Sequence, residues 1–161
     1  FIEYSKENAP KAWLIAKVIA GTGVRVSELI ELKTEDIDKG YCDIVGKGNK
    51  QRRIYFPNKL VKQIKGKCGK EYIIENRYGL KISTRGVSAI LKTAGEKAGI
   101  AKEVMHPHSF RHYFAKQFMK KTQDISLLGD LLGHSNIATT AIYTRLSSDE
   151  QKNEINKLVN W

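Results

Sequence analysis

The sequence predicts an α+β domain, mainly helical, with a small antiparallel sheet made of a β-hairpin and a short third strand. Three observations predict it. Apolar residues recur at three- and four-residue spacing over most of the chain. Two short runs rich in Tyr, Ile, Val and Phe, residues 41–45 and 52–56, flank a turn-like Gly46-Lys47-Gly48-Asn49-Lys50-Gln51 segment. With 161 residues and 41% hydrophobic content the chain can bury one ordinary core, so a single domain is expected over 1–161.

Asn8 and Pro10 mark the start of a first helix whose Trp13, Ala16, Ile19 and Ala20 share a face, and Gly21-Thr22-Gly23 stops it. A second short helix carries Arg25, Glu28, Leu29 and Leu32, with Arg25 in its first turn and Glu28 one turn later on the same side. The hairpin follows. Asn58–Lys65 is amphipathic, with Leu60, Val61 and Ile64 on one side, and Tyr72-Ile73-Ile74 is expected to add the third strand. Thr84 can cap a helix striped by Val87, Ile90, Leu91, Ala94 and Ala98, with Gly99 as its stop. His108–Lys120 forms another, with Phe110, Phe114 and Phe118 four apart on the buried side. Ser126 starts a short helix that ends at Gly133, and Ser135 caps the next, which runs through Ile142 to Tyr143. Ser148 and Gln151 form a capping box for a last helix bearing Ile155, Leu158 and Val159.

The formal net charge of +11 fits nucleic acid, an acidic membrane surface or a merely basic soluble protein, so its distribution matters more than its total. From Gly46 to Lys70 there are nine basic residues and not one acidic residue, so most of the net charge sits in this segment. A basic run is by default a solvated face. Here it spans two expected strands and a turn, which fixes the charges in space and points to a polyanion. Cys42 and Cys68 show no CxxC pairing and are read as packing residues of a reducing compartment. No run approaches the roughly 18 apolar residues that span a bilayer, so a cytoplasmic protein without membrane contact is expected. The chain opens on Phe1, as expected of a piece of something longer.

His108 and Arg111 stand three apart at a helix start and can converge on one point outside it, although a plain polar face would look the same. His134 lies immediately past a helix stop, and Tyr143 follows near the end of the next helix. Either residue alone reads as an ordinary half-buried surface group. Four histidines, at positions 106, 108, 112 and 134, suggest a metal, but no Cys or paired carboxylate accompanies them, so none is expected. Gly46-Lys47-Gly48 lacks the spacing of a nucleotide-binding loop.

Taken together, Thr22-Gly23-Val24-Arg25-Val26-Ser27-Glu28-Leu29, Gly46-Lys47-Gly48-Asn49-Lys50, His108-Ser109-Phe110-Arg111-His112, Leu131-Leu132-Gly133-His134 and Thr140-Ala141-Ile142-Tyr143-Thr144 follow the order and spacing of the tyrosine recombinases. The chain resembles their catalytic domain over essentially its whole length, as found in phage and transposon integrases and chromosome-dimer-resolving enzymes. Phe110 stands where the family usually has Leu, a core position.

The resemblance implies a DNA breaking-rejoining fold and strand transfer through a 3′-phosphotyrosyl intermediate on Tyr143, with no metal or ATP. Arg25 and Arg111 suit the charge that develops on the non-bridging phosphate oxygens. A phenol with a pKa near 10 needs a proton acceptor and nearby cations, and His108 is the candidate acceptor. By the resemblance, His134 hydrogen-bonds the scissile phosphate, Lys47 protonates the departing 5′ oxygen, and Glu28 orients the site. Lys50, Arg52 and Arg53, with Thr84 and Arg85 at a helix start, are the expected contacts to double-stranded DNA. The resemblance further implies a prokaryotic enzyme that forms a homo-tetramer on DNA, an upstream DNA-binding domain, and a last helix, 147–161, that docks on a neighbouring protomer or packs in its own. Three other functions stay open: a type IB topoisomerase-like nicking and resealing enzyme, a DNA-binding regulator that does no chemistry, and a metal-dependent nuclease, which chelators would inhibit.

Overall fold

The computed structural model describes residues 1–45, 51–133, 140 and 142. Helices α1 (Ile2–Asn8), α2 (Pro10–Thr22), α3 (Val26–Leu29) and α4 (Thr34–Lys39) lead into a hairpin of β1 (Tyr41–Val45) and β2 (Gln51–Tyr55). Helices α5 (Asn58–Ile64), α6 (Thr84–Lys97), α7 (Pro107–Thr122) and α8 (Ile125–Leu132) follow, with a 3-10 turn over Lys102–Val104 before α7. The mainly helical α+β class is the expected one. Among the described residues no helix is long and apolar enough to cross a membrane.

Pro10 opens α2 at a position whose N–H has no intrahelical acceptor, so its missing donor is harmless. Buried residues Ala12, Trp13, Leu14, Ile15, Ala16, Val18 and Ile19 cover almost the whole circumference of α2. A helix apolar on every side belongs inside, and α1, α5, α6 and α7 pack around this one. Each fully buried aliphatic side chain here stabilises the fold by about 1.5–3 kcal/mol. A smaller apolar cluster joins α7 to α8 through Ala115, Leu128 and Leu132, with Phe114, Phe118 and Met119 against them. Phe110 instead packs on the main core, its ring 5.8 Å from that of Phe1. The three phenylalanines therefore serve two clusters.

Several boundaries differ from those expected. Helices α1 and α4 were not foreseen, because seven and six residues are too few to show a periodic stripe. Ser83, not Thr84, caps α6: its Oγ accepts from the Gly86 N–H at 3.0 Å, and Thr84 is the first helical residue. Asp124 likewise caps α8 ahead of Ser126, accepting from the Leu127 N–H at 2.8 Å. The expected third strand does not join the sheet, which has two strands among the described residues. Tyr72 makes one isolated bridge to Lys33, and the Ile73 N–H donates to Leu32 at 3.0 Å. Ile73 and Ile74 are both buried in the core.

The hairpin is antiparallel, pairing Tyr41 with Tyr55, Asp43 with Arg53 and Ile44 with Arg52. Its alternation puts Cys42, Ile44, Arg52 and Ile54 on the inner face and Tyr41, Asp43, Arg53 and Tyr55 on the outer one. Cys42 and Cys68 are half-buried against the core, and burial pushes each thiol up to about 11. The helix expected from Ser135 to Tyr143 lies outside the described residues save for buried Thr140 and exposed Ile142. The expected last helix, 147–161, lies wholly outside them.

Candidate active site

The site is built around the C-terminal end of α8. A helix ends with carbonyls that have no intrahelical donor, and its dipole makes that end partly negative. Three consecutive carbonyls there each accept from a different arginine. Arg52 Nη1 donates to the Leu131 carbonyl, Arg111 Nη2 to Leu132 at 2.8 Å, and Arg25 Nη2 to Gly133 at 3.0 Å. The donors come from β2, α7 and the residue before α3.

Arg25 sits at the N-cap of α3 in extended conformation. Its backbone N–H donates to Glu28 Oε2 at 2.8 Å and its Nη1 to Glu28 Oε1 at 3.1 Å, so one carboxylate fixes both ends of the residue. Arg52 Nη2 donates to the same Oε2. Burial works to raise the Glu28 pKa. The Arg25 N–H and the charges of Arg52 and Arg25 outweigh it and hold the carboxyl below its ordinary value of 4.5. Arg111 is 4% exposed, and its Nη1 also donates to the Gly23 carbonyl at 2.6 Å. It thereby ties the loop before Arg25 to the end of α8.

Two glycines make this approach possible. Gly133 has φ 63°, and a Cβ there would lie 2.6 Å from Arg52 Cδ. Gly23 has φ 67°, and its Cβ would lie 2.5 Å from the Phe114 ring and 2.9 Å from Leu132. Either change would strain the left-handed backbone and push apart groups that the site holds together.

His108 is exposed on the first turn of α7, three residues before Arg111. Its Nε2 lies 2.6 Å from His112 Nε2, so one ring donates and the other accepts. Burial, the Arg111 charge and neighbouring His106 hold His108 below its ordinary value of 6.5, which leaves it a neutral base at pH 7. His106 caps α7 through the Ser109 N–H at 3.3 Å. Among the described residues no three His, Cys, Asp or Glu side chains are grouped to hold a metal ion.

The structure thus brings Arg25, Glu28 and Arg111 to one helix end, with His108 one turn from Arg111. Lys47, Lys50, His134 and Tyr143 lie outside the described residues. Thr84 and Arg85 are exposed at the start of α6. Arg53 is exposed, forms a two-pronged pair with Asp43 at 2.7 and 2.8 Å, and stacks 3.9 Å above the Tyr41 ring. Arg52, expected as an exposed DNA contact, is instead turned inward: its side chain is 9% exposed, its Nη atoms donate to Leu131 and Glu28, and its buried Nε has no hydrogen-bond partner among the described residues. Sequence reasoning grouped the two arginines by charge, although strand alternation already separates them. It also passed over His112 as a partner of His108, a contact that their four-residue spacing on one helix foreshadows.

Fold and arginine site together have the architecture of a DNA breaking-rejoining catalytic domain. The chain belongs to the phage integrase family, which it matches over residues 1–150. Tyrosine recombinase XerA of Pyrococcus furiosus is 38% identical over 155 residues, covering 89% of this chain and 53% of that protein. Tyrosine recombinase XerC of Listeria monocytogenes is 31% identical over 153 residues, covering 86% and 51%. The chain therefore spans about half the length of these relatives. A crystal structure of XerA recombinase shares the fold with a TM-score of 0.80 at 26% identity, over 99% of this chain and 60% of that one. XerH bound to palindromic difH substrate in a post-cleavage complex shares the fold with a TM-score of 0.78 at 24% identity, over 96% of this chain and 49% of that one.

Proposed function

We propose that this chain is the catalytic part of a site-specific recombinase that cleaves and rejoins double-stranded DNA. The observation that carries the reading is the meeting of Arg25 and Arg111, remote in sequence, on adjacent carbonyls immediately before His134. Of the two, Arg25 is the more open, with its side chain 39% exposed beside the helix end. Of proteins that share this fold, XerH is described bound to a palindromic difH substrate and the Tn1549 integrase in complex with a circular intermediate DNA.

In the proposed reaction the Tyr143 phenolic oxygen attacks the scissile phosphorus and the P–O5′ bond breaks, leaving a 3′-phosphotyrosyl linkage and a free 5′ hydroxyl. His108, neutral at pH 7, takes the phenolic proton, and Lys47 supplies one to the 5′ oxygen. Arg25 and Arg111 stabilise the charge on the non-bridging oxygens, with His134 hydrogen-bonding one of them. Glu28 keeps Arg25 in place. Attack by a 5′ hydroxyl of a second strand reverses the steps, so the energy of the linkage is conserved and no nucleotide is consumed. Lys50, Arg53, Thr84 and Arg85 grip the duplex, four protomers assemble on paired sites, and residues 147–161 dock on a neighbour.

The test is a suicide duplex whose cleaved end diffuses away, incubated with the chain with and without chelator. A covalent adduct that chelator leaves unchanged and Tyr143→Phe abolishes is expected. An adduct that survives Tyr143→Phe would exclude the assignment, and one that chelator removes would indicate metal-dependent chemistry.

A further inference from the structure

The contacts at the end of α8 close on themselves. From Leu131 the path runs to Arg52, to Glu28, to Arg25 and back to Gly133. Within this ring the three side chains differ in depth: Arg52 is 9% exposed and Glu28 14%, whereas Arg25 is 39% exposed. Only Arg25 is open enough to meet a DNA phosphate. Arg52 and Arg25 share the Glu28 carboxylate, and the absence of a Gly133 side chain is what lets the Arg52 stem pass.

Arg52 also has a second connection. It pairs with Ile44, and Gln51 with Val45, so the segment carrying Lys47 leaves the sheet one register step beyond Arg52. One inward guanidinium thus ties together the root of the Lys47 segment, the carboxylate that holds Arg25 and the helix end that leads into His134.

We propose that Arg52 is a positioning residue for strand transfer, acting on the reacting groups through Glu28 and the end of α8 without touching DNA. The proposal rests on the recombinase reading above. Displacing a reacting group by about 1 Å from a distance can cost about a hundredfold in rate. Arg52→Ala should accordingly lower the single-turnover cleavage rate of a suicide duplex at saturating DNA by about a hundredfold, with DNA affinity little changed. Arg52→Lys keeps one of the two contacts and should restore part of the rate.

The same measurements on Glu28→Gln and on the double variant should be non-additive, because both residues act through one ring. Circular dichroism at the assay temperature fixes the folded fraction of each variant. Weakened DNA binding with a salt slope reduced by about one, at an unchanged saturated rate, would make Arg52 a phosphate contact and overturn the proposal. A rate loss that merely tracks the folded fraction, or strict additivity with Glu28→Gln, would overturn it too. Equal cleavage by the unaltered chain and Arg52→Ala would sink the proposal and leave the recombinase reading intact. No adduct with the unaltered chain would sink both.

Discussion

Arg52 and Arg53 are neighbours in the chain and opposites in the fold. On the inner face of the hairpin Arg52 is enclosed and bonded to Glu28 and to a helix-end carbonyl. On the outer face Arg53 is open to solvent, paired with Asp43 and stacked on Tyr41. Composition counts both as one basic patch. The two-residue period of a strand makes one a structural tie and leaves the other for surface contacts. A guanidinium fixed inside by backbone carbonyls resists removal, because carbonyls left buried without donors must be desolvated for nothing. A solvated ion pair has water as a ready substitute.

The sharpest way to break this contrast is Arg111→Ala, since Arg111 is the most enclosed of the site arginines and holds two carbonyls. It should lower stability by about 2–4 kcal/mol in urea unfolding, from two acceptors left short of a donor. A loss no larger than that of an exposed arginine would mean the carbonyls find other donors. Next is Gly133→Ala, expected to cost about 1–3 kcal/mol through left-handed strain and overlap with Arg52. Gly99→Ala is its control, for Gly99 also has positive φ but nothing within 4 Å, so only the strain of about 1 kcal/mol remains. Equal losses at the two sites, read from thermal unfolding, would show that the Arg52 stem simply moves aside.

A smaller effect depends on pH. The Glu28 carboxyl is held below 4.5 in the folded protein, so its ion pairs stabilise fully above that value and are lost as pH falls through the lower folded-state value. The stability gap between the parent and Glu28→Gln, measured near neutral pH, should therefore shrink on acidification below about 4.5. A gap that stays constant into strong acid would indicate lost packing rather than lost charge. Smallest of all, Arg53→Ala should leave the unfolding midpoint unchanged while weakening the salt-dependent part of DNA binding; a clear drop in the midpoint would erase the distinction between the faces.

Much of this was legible beforehand where the signal is local. The Gly-rich stop after α2, the hairpin ends and the Gly133 stop of α8 each follow from a few residues whose backbone preferences have no competitor. Spacing likewise placed His108 and Arg111 together on one helix. Arg52 was grouped with Arg53, and its burial missed, because charge was read before periodicity. The segment Tyr72–Ile74 was misjudged because β-rich composition says nothing about pairing: two adjacent buried isoleucines fit a pinned extended loop as well as a strand.

By itself the sequence determined the helical class and the hairpin and nominated the candidate reactive side chains, since these depend on short-range periodicity, turn chemistry and functional groups. Only the tertiary structure decided that three arginines from separate elements share one helix end, and which of them remains open to solvent. Those outcomes depend on which unsatisfied carbonyls a buried guanidinium can reach, a question settled by packing between segments far apart in the chain.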